Sequence, residues 1–531
     1  MSKENLSSAG QNVTKRERIS AFEPQTLVMS SIMAVLSAII CMQIIGKVGV
    51  TPNTSLIGAI AAMIIARFPI SSFKKFKSLE RQNLIQTTVS GAGFSAANCG
   101  FLALAIFFVL GETGFLIPMA IGSLVGLVFA IIIVGKIFDS SIFPAEAAWP
   151  PGVATALAIK AGDEGGEKGK RLLQGIVIGG IASYFKLPAA GIGIVFIANI
   201  FAMAALGLGL LLRGYSATIF GGLDLGTTYI PHGIMIGAGL MALIQSLRIV
   251  FKGKGNDNDT QATTNHTRTD AETKKNLGIG VGMFLVGALV LALVSGIMTE
   301  LSIGKLILWL IWATVSATAA MLLVGMAAMH SGWFPAFAIT TIFMTIGIFF
   351  GFPIIPLALL TGYVSSVGPC FADMGYDLKT GWILRGDGLD SEHELYGRKQ
   401  QVILEVIGGV IGIAVVLLSM NMYFEADLLP PVSRVFATTV SAGADSTLVR
   451  TLLTWAVPGI IIQLVGGPSR MVGVLFATGL LINNPIYGIG VISAVIVRLI
   501  FGTKFMEIRD AGLIAGDGLY GFFSAMFRAM F

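Results

Sequence analysis

From Thr26 to Ile45 the chain runs for about 20 residues without a charged side chain. That length lets a helix cross the roughly 30 Å hydrocarbon core of a bilayer. Inside lipid, only a helix or a closed barrel satisfies its own backbone N–H and C=O groups. Apolar runs recur at 55–70, 83–110, 115–137, 172–190, 191–212, 218–230 and 232–247. They resume at 277–297, 305–329, 334–351, 353–368, 402–423, 448–465, 471–482, 485–501 and 511–531. The predicted fold class is all-α, a polytopic membrane helical bundle of about 12–16 transmembrane helices, with the shorter runs as broken or re-entrant segments.

Only 12% of the 531 residues are charged, against about a quarter in soluble domains. The mean hydropathy is +0.83. The 66 glycines suit helices that approach closely or break beside a cavity. They serve packing within a subunit as well as between subunits, so a homo-oligomer stays open. The first run is too long for the core of a cleaved signal peptide and no small-residue cleavage site follows it, so it reads as a true first span.

The net charge of +6 is spread over short basic clusters between runs, not over one water-facing surface, which argues against nucleic acid as a partner. Lys15, Arg16 and Arg18 precede the first run; Lys74, Lys75, Lys77 and Arg81 follow the second; Lys168, Lys170 and Arg171 come two crossings later, if 144–159 dips in and returns. By the positive-inside rule these share one side, with the amino terminus cytoplasmic in a multi-pass protein of the cell membrane.

Residues 252–276 (KGKGNDNDTQATTNHTRTDAETKKN) have no apolar periodicity and read as a disordered cytoplasmic linker. The expected organisation is a cytoplasmic tail at 1–25, a first transmembrane half at 26–251, the linker, and a second half at 277–531. Two related halves of this kind are common in transporters.

Charge and amides at membrane depth are costly and mark function or a paired interior site. Four stretches carry them. In SLERQNLIQT (78–87), Asn83 and Gln86 share a helix face, as do Gln82 and Gln86. Their amides offer donors and acceptors to a peptide or carboxylate ligand; Glu80 either joins them or ends a loop. In FPAEAAWPPG (143–152) three prolines and a glycine disfavour a regular helix. Glu146 beside that break is a candidate for a proton or a cationic substrate group, against an interfacial turn. GGLDLG (221–226), followed by Tyr229-Ile230-Pro231-His232, holds a lone Asp224 and, at His232, a group that titrates near neutrality. Each has an interfacial explanation as well. In CFADMGYDLKTG (370–381), Asp373, Asp377 and Lys379 suit an ion-paired cluster at the end of a span, with a solvated loop as the competing account.

No phosphate-cradling GxxxxGK[ST], His-Glu-x-x-His or Gly-x-Ser-x-Gly occurs, which counts against an ATP-driven pump and an intramembrane hydrolase. Cys41, Cys99 and Cys370 are too isolated for a disulfide framework or zinc. No metal or cofactor is expected, and the energy source implied is an ion gradient.

These stretches resemble segments of the oligopeptide transporter (OPT) family, its prokaryotic members in particular; the wider family includes the yellow-stripe metal-chelate carriers. SLERQNLIQT is similar to the family's Ser, Glu, Gln, Asn segment ending Gln-Thr. FPAE looks like its Pro-x-Glu-Gly-Thr-Ala, ADMGYDLKTG (372–381) like its Asp-Leu-Lys-Thr-Gly, and AGLIAGDGL (511–519) like its Gly-Leu-Ile-Ala-Gly-Glu-Gly. Ala147 stands where Gly is usual, and Asp517 replaces Glu. The resemblance implies a proton-coupled importer of short peptides or metal chelates, with up to 16 helices in two related halves. Carried over, Glu80, Gln82, Asn83, Glu146, Asp373, Asp377, Lys379 and Asp517 are the candidates. Joined to the reading of the residues themselves, Gln82, Asn83, Gln86, Asp377 and Lys379 are candidates for substrate, and Glu80, Glu146, Asp224, Asp373, Asp517 and His232 for proton coupling. A lipid-linked transferase and a channel are the alternatives from other classes. The transferase needs paired acids holding Mg²⁺, and Lys379 opposes that at Asp373 and Asp377.

Overall fold

The computed structural model describes residues 18–530 except 49–53, 68–70, 165, 253–265, 333, 443–445, 469 and 507–508. The tail to residue 17, with Lys15 and Arg16, and most of the expected linker lie outside the described residues. Among those described there is no strand, and the fold is a polytopic helical bundle.

The first set of helices is α1 (Pro24–Val48), α2 (Thr54–Arg67), α3 (Leu79–Phe94), α4 (Leu102–Leu110), α5 (Leu116–Ile137), α6 (Pro150–Glu164), α7 (Gly166–Tyr184), α8 (Ala189–Ile197), α9 (Ile200–Gly214), α10 (Ser216–Ile219) and α11 (Ile230–Lys252). A π-helical turn, Ser95–Phe101, joins α3 to α4 into one rod. Then come α12 (Asp270–Val294), α13 (Ile297–Glu300), α14 (Ile303–Ser331), α15 (Ala336–Phe349), α16 (Ile354–Leu384), α17 (Ser391–Glu425), α18 (Pro431–Ala442), α19 (Ser446–Gly466), α20 (Val472–Leu481), α21 (Pro485–Phe501) and α22 (Arg509–Met530). Among the described residues, seven helical stretches are long and apolar enough to cross a membrane, and seven more are apolar but shorter.

Lengths and partners recur between 24–252 and 303–530. α2 and α15 each have 14 residues. The rod from Leu79 to Leu110 has 32 residues and α16 has 31. α7 packs on α22, and α19 on α11; α1 packs on α3, and α14 on α16; α17 packs on α3, and α5 on α16. α12 stands outside this recurrence.

Local chemistry departs from the hydropathy pattern at three places. α12 begins at Asp270, inside the stretch expected to be linker, because Thr269 and Glu272 form a capping box that satisfies the first N–H groups. The run at 218–230 is not a crossing: glycines at positive φ, Gly221 and Gly222, break it into short turns. Asp373 to Gly381 do not end a span. They continue α16 to Leu384, wholly buried, because their polar side chains face other helices instead of lipid.

Candidate functional site

The polar centre is built where α2, α3, α16 and α17 meet. On α17, Gln401, Glu405, Gly408 and Gly412 recur at three- and four-residue spacing and form one face. A Cβ on Gly408 or Gly412 would stand 2.6 Å from the backbone oxygens of Thr88 and Ala92 respectively. Glycine is therefore what lets α17 lie against α3, and that approach carries Glu405 inward. A Cβ on Gly91 of α3 would meet the Glu405 carboxyl carbon at 2.7 Å.

Asp373 and Asp377, one turn apart on α16, complete the cluster. Each of the three acids brings a carboxylate oxygen to within 4.8 Å of the others, and their exposures are 3%, 0% and 2% for Asp373, Asp377 and Glu405. Asp373 Oδ1 accepts from Thr54 Oγ1 at 3.0 Å and Ser90 Oγ at 2.9 Å. Asp377 Oδ1 accepts from Ser55 Oγ at 2.7 Å and Gln86 Nε2 at 2.6 Å. Thr54 and Ser55 open α2, so the positive end of that helix also faces the acids. Among the described residues, Asp377 Oδ2 and Glu405 Oε2 are buried without a hydrogen-bond partner. Among the described residues no Lys, Arg or His pairs with any of the three.

Amides link this cluster to a second one. Asn83 Nδ2 donates to Gln86 Oε1 at 3.2 Å, and Arg385 Nη1 donates to Asn83 Oδ1 at 3.2 Å. Arg385 grips Glu394 through two bonds of 2.7 and 3.1 Å, and Arg398 shares that carboxylate at 3.2 Å. Arg398 also lies 3.7 Å from Asp139. Asp139 in turn accepts from Thr267 Oγ1 at 2.6 Å and faces His266 at 3.5 Å. Burial raises the Asp139 carboxyl, but the bonds from His266 and Thr267 and the charge of Arg398 outweigh it and hold it well below the usual carboxylate range.

The other sequence-selected residues fall elsewhere. Gln82 Nε2 donates to Lys77 O at 3.1 Å, and Glu80 meets His393 at 2.8 Å. Lys379 does not pair with the acids: two residues beyond Asp377 it leaves on another face, donates to Ala145 O at 2.7 Å and lies over the Trp382 ring at 4.4 Å. Glu146 is exposed, in the turn before α6. Asp224 pairs with Arg213 at 2.5 Å and caps Gly226 N at 2.8 Å. His232 is mostly buried against Tyr229, and Asp517 accepts from Ser183. None of these bonds reaches the three acids.

Sequence reasoning missed Glu405, Arg385, Glu394 and Arg398. A signal existed for Glu405, a lone carboxylate just inside the apolar run at 402–423. Arg385, Glu394 and Arg398 left none, because they lie in the polar stretch between the apolar runs at 353–368 and 402–423.

A cavity of about 160 Å³ lies one turn before Asp373 along α16, lined by Asn98 of the π-helical turn, by Phe334, Thr340, Ser365 and Pro369, and by Phe436 of α18. A larger void of about 220 Å³ beside α11, α14 and α15 is walled by apolar side chains, and its Trp312 already donates to Phe343 O at 3.1 Å. That void offers nothing to orient a polar solute.

Carboxylates and amides buried inside an apolar helical bundle are costly and mark a functional site, such as a path for a solute or ion. A family model, OPT oligopeptide transporter protein, matches residues 24–225 and 218–528, and the chain belongs to the oligopeptide transporter family. No individual curated protein matches it. The family is one of transporters, so the chain is not an enzyme and the transferase alternative falls.

Proposed function

We propose that the chain imports short peptides across the cell membrane together with protons, and that Asp373, Asp377 and Glu405 form the coupling site. The observation that carries this is the meeting of three buried carboxylates within 4.8 Å without a basic partner among the described residues. Three negative charges out of water at that spacing require accompanying positive charge. A proton is the smallest carrier of it, and one that binds on one side and leaves on the other links a gradient to cargo.

Peptide cargo is favoured by the family and by the mixed lining of the 160 Å³ cavity. The motif matches favour the prokaryotic branch related to the yellow-stripe carriers. The cytoplasmic amino terminus is supported by contacts at one end of the bundle. Arg18 bonds Glu392 at 2.7 Å, Arg81 and Lys75 meet Glu23, and Arg398 meets Asp139, so the basic segments gather there as the positive-inside rule asks. The recurrence of lengths and partners supports two related halves, 24–252 and 303–530, with α12 as connector. Gln86 and Asn83 act on cargo through Asp377, whereas Glu146, Asp224, His232 and Asp517 stand as secondary candidates for proton entry and exit.

The test is uptake into proteoliposomes with an acidic exterior. Asp373→Asn and Glu405→Gln are expected to abolish gradient-driven uptake and to spare counterflow exchange. Undiminished gradient-driven uptake in both variants would remove the coupling site from this cluster; if Glu146→Gln alone lost it, the turn before α6 would take its place. Saturation of flux with peptide concentration separates the carrier from a channel.

A further inference from the structure

We infer that the cavity between the π-helical turn, α15, α16 and α18 receives one uncharged side chain of the cargo, aromatic or branched apolar, together with an adjoining peptide group. This rests on the peptide-carrier reading above and specifies its cargo.

The size comes first. A cavity near 150 Å³ walled by apolar side chains holds a benzene ring, and this one measures about 160 Å³. Phe337 and Phe436 face each other at 5.3 Å, and Phe334 packs on Phe94 at 5.7 Å, so aromatic rings form its wall. Among the described residues, no charged one lines it. A Lys or Asp side chain entering there loses its hydration without gaining a partner, which is strongly unfavourable.

The polar groups come second. Thr340 is 2% exposed, and its hydroxyl makes no hydrogen bond among the described residues, although it lines the void. Pro369 has no N–H, so the carbonyl of Ser365, one turn earlier on α16, lacks its usual helical donor. The Ser365 hydroxyl is already committed to Gly362 O at 2.9 Å. A free hydroxyl and a freed carbonyl beside a ring-sized apolar space match one peptide group with its side chain. Pro369, whose missing N–H frees the carbonyl, lies four residues before Asp373, about 6 Å along the helix. Filling the cavity therefore bears on the same segment of α16 that carries the coupling acid.

The test uses the full chain in liposomes, with labelled Ala-Phe-Ala as probe and Ala-Leu-Ala, Ala-Lys-Ala and Ala-Asp-Ala as competitors. Ala-Leu-Ala is expected to compete comparably with the probe, and the charged tripeptides about tenfold or more weakly, a difference of about 1.4 kcal/mol. Phe436→Ala is expected to shift preference toward Ala-Trp-Ala. Because that variant removes a buried ring and folding can suffer, Thr340→Cys provides a second readout: the probe should slow modification of the new thiol by a small methanethiosulfonate reagent, measured against the parent chain. Equal competition by all the tripeptides, or no protection of the thiol, with the probe still transported, overturns the cavity assignment and leaves the carrier standing. If no tripeptide is bound or transported, peptide cargo itself is overturned and the cavity assignment with it.

Discussion

Gln86 of α3 donates its amide N–H to Asp377 of α16 at 2.6 Å, across 291 positions of sequence. The same amide accepts from Asn83, so one glutamine holds an acid of the central cluster and the first link toward Arg385. A hydrogen bond to a charged group contributes about 1.5–3 kcal/mol. Gln86→Leu is expected to lower stability in detergent by that order and to reduce gradient-driven uptake. Unchanged melting and uptake would show that the bond holds nothing in place.

The Glu394 carboxylate lies between Arg385 and Arg398 with 1% of its side chain exposed. Removing one partner from a buried ion network leaves the others uncompensated, at about 3–5 kcal/mol. Glu394→Gln is expected to lose most monodisperse protein on size exclusion. Arg398→Gln added to it should recover part of the loss, and strict additivity of the two would speak against a shared network.

Gly91 offers a milder perturbation. A Cβ there collides with the far end of the Glu405 side chain, not with backbone, so the carboxylate can swing aside. Gly91→Ala is expected to fold, to keep peptide counterflow, and to lose gradient-driven uptake by displacing Glu405 from the two aspartates. Equal loss of both modes would instead indicate a packing defect.

Glu23, at the mouth of α1, has its carboxyl held down to about 2 from 4.5, chiefly by its bond to Arg81, with burial opposing and Thr26 and Lys75 assisting. A depressed pKa means stability that is present above pH 4.5 and is lost as pH falls through about 2. Thermal melts of the parent and Glu23→Gln should differ by a constant amount from pH 7 to about 4.5 and converge toward pH 2. A gap that closed above pH 5 would contradict this pairing.

Membrane residence, the helical class and the candidate acids of α16 were legible in the residues themselves, because lipid imposes a cost that each apolar run meets or fails locally. The pairing of Asn83 with Gln86 was legible for the same reason, being set by one helix's own period. Which acids meet was not. Glu405 joins Asp373 and Asp377 only because Gly408 and Gly412 let α17 close on α3, while Lys379, close to the acids in sequence, turns to Ala145 and Trp382, and Glu146 lies exposed in a turn. Such meetings depend on where distant helices cross and in what rotation, and no sum over neighbouring residues contains that; only the packed bundle decided it.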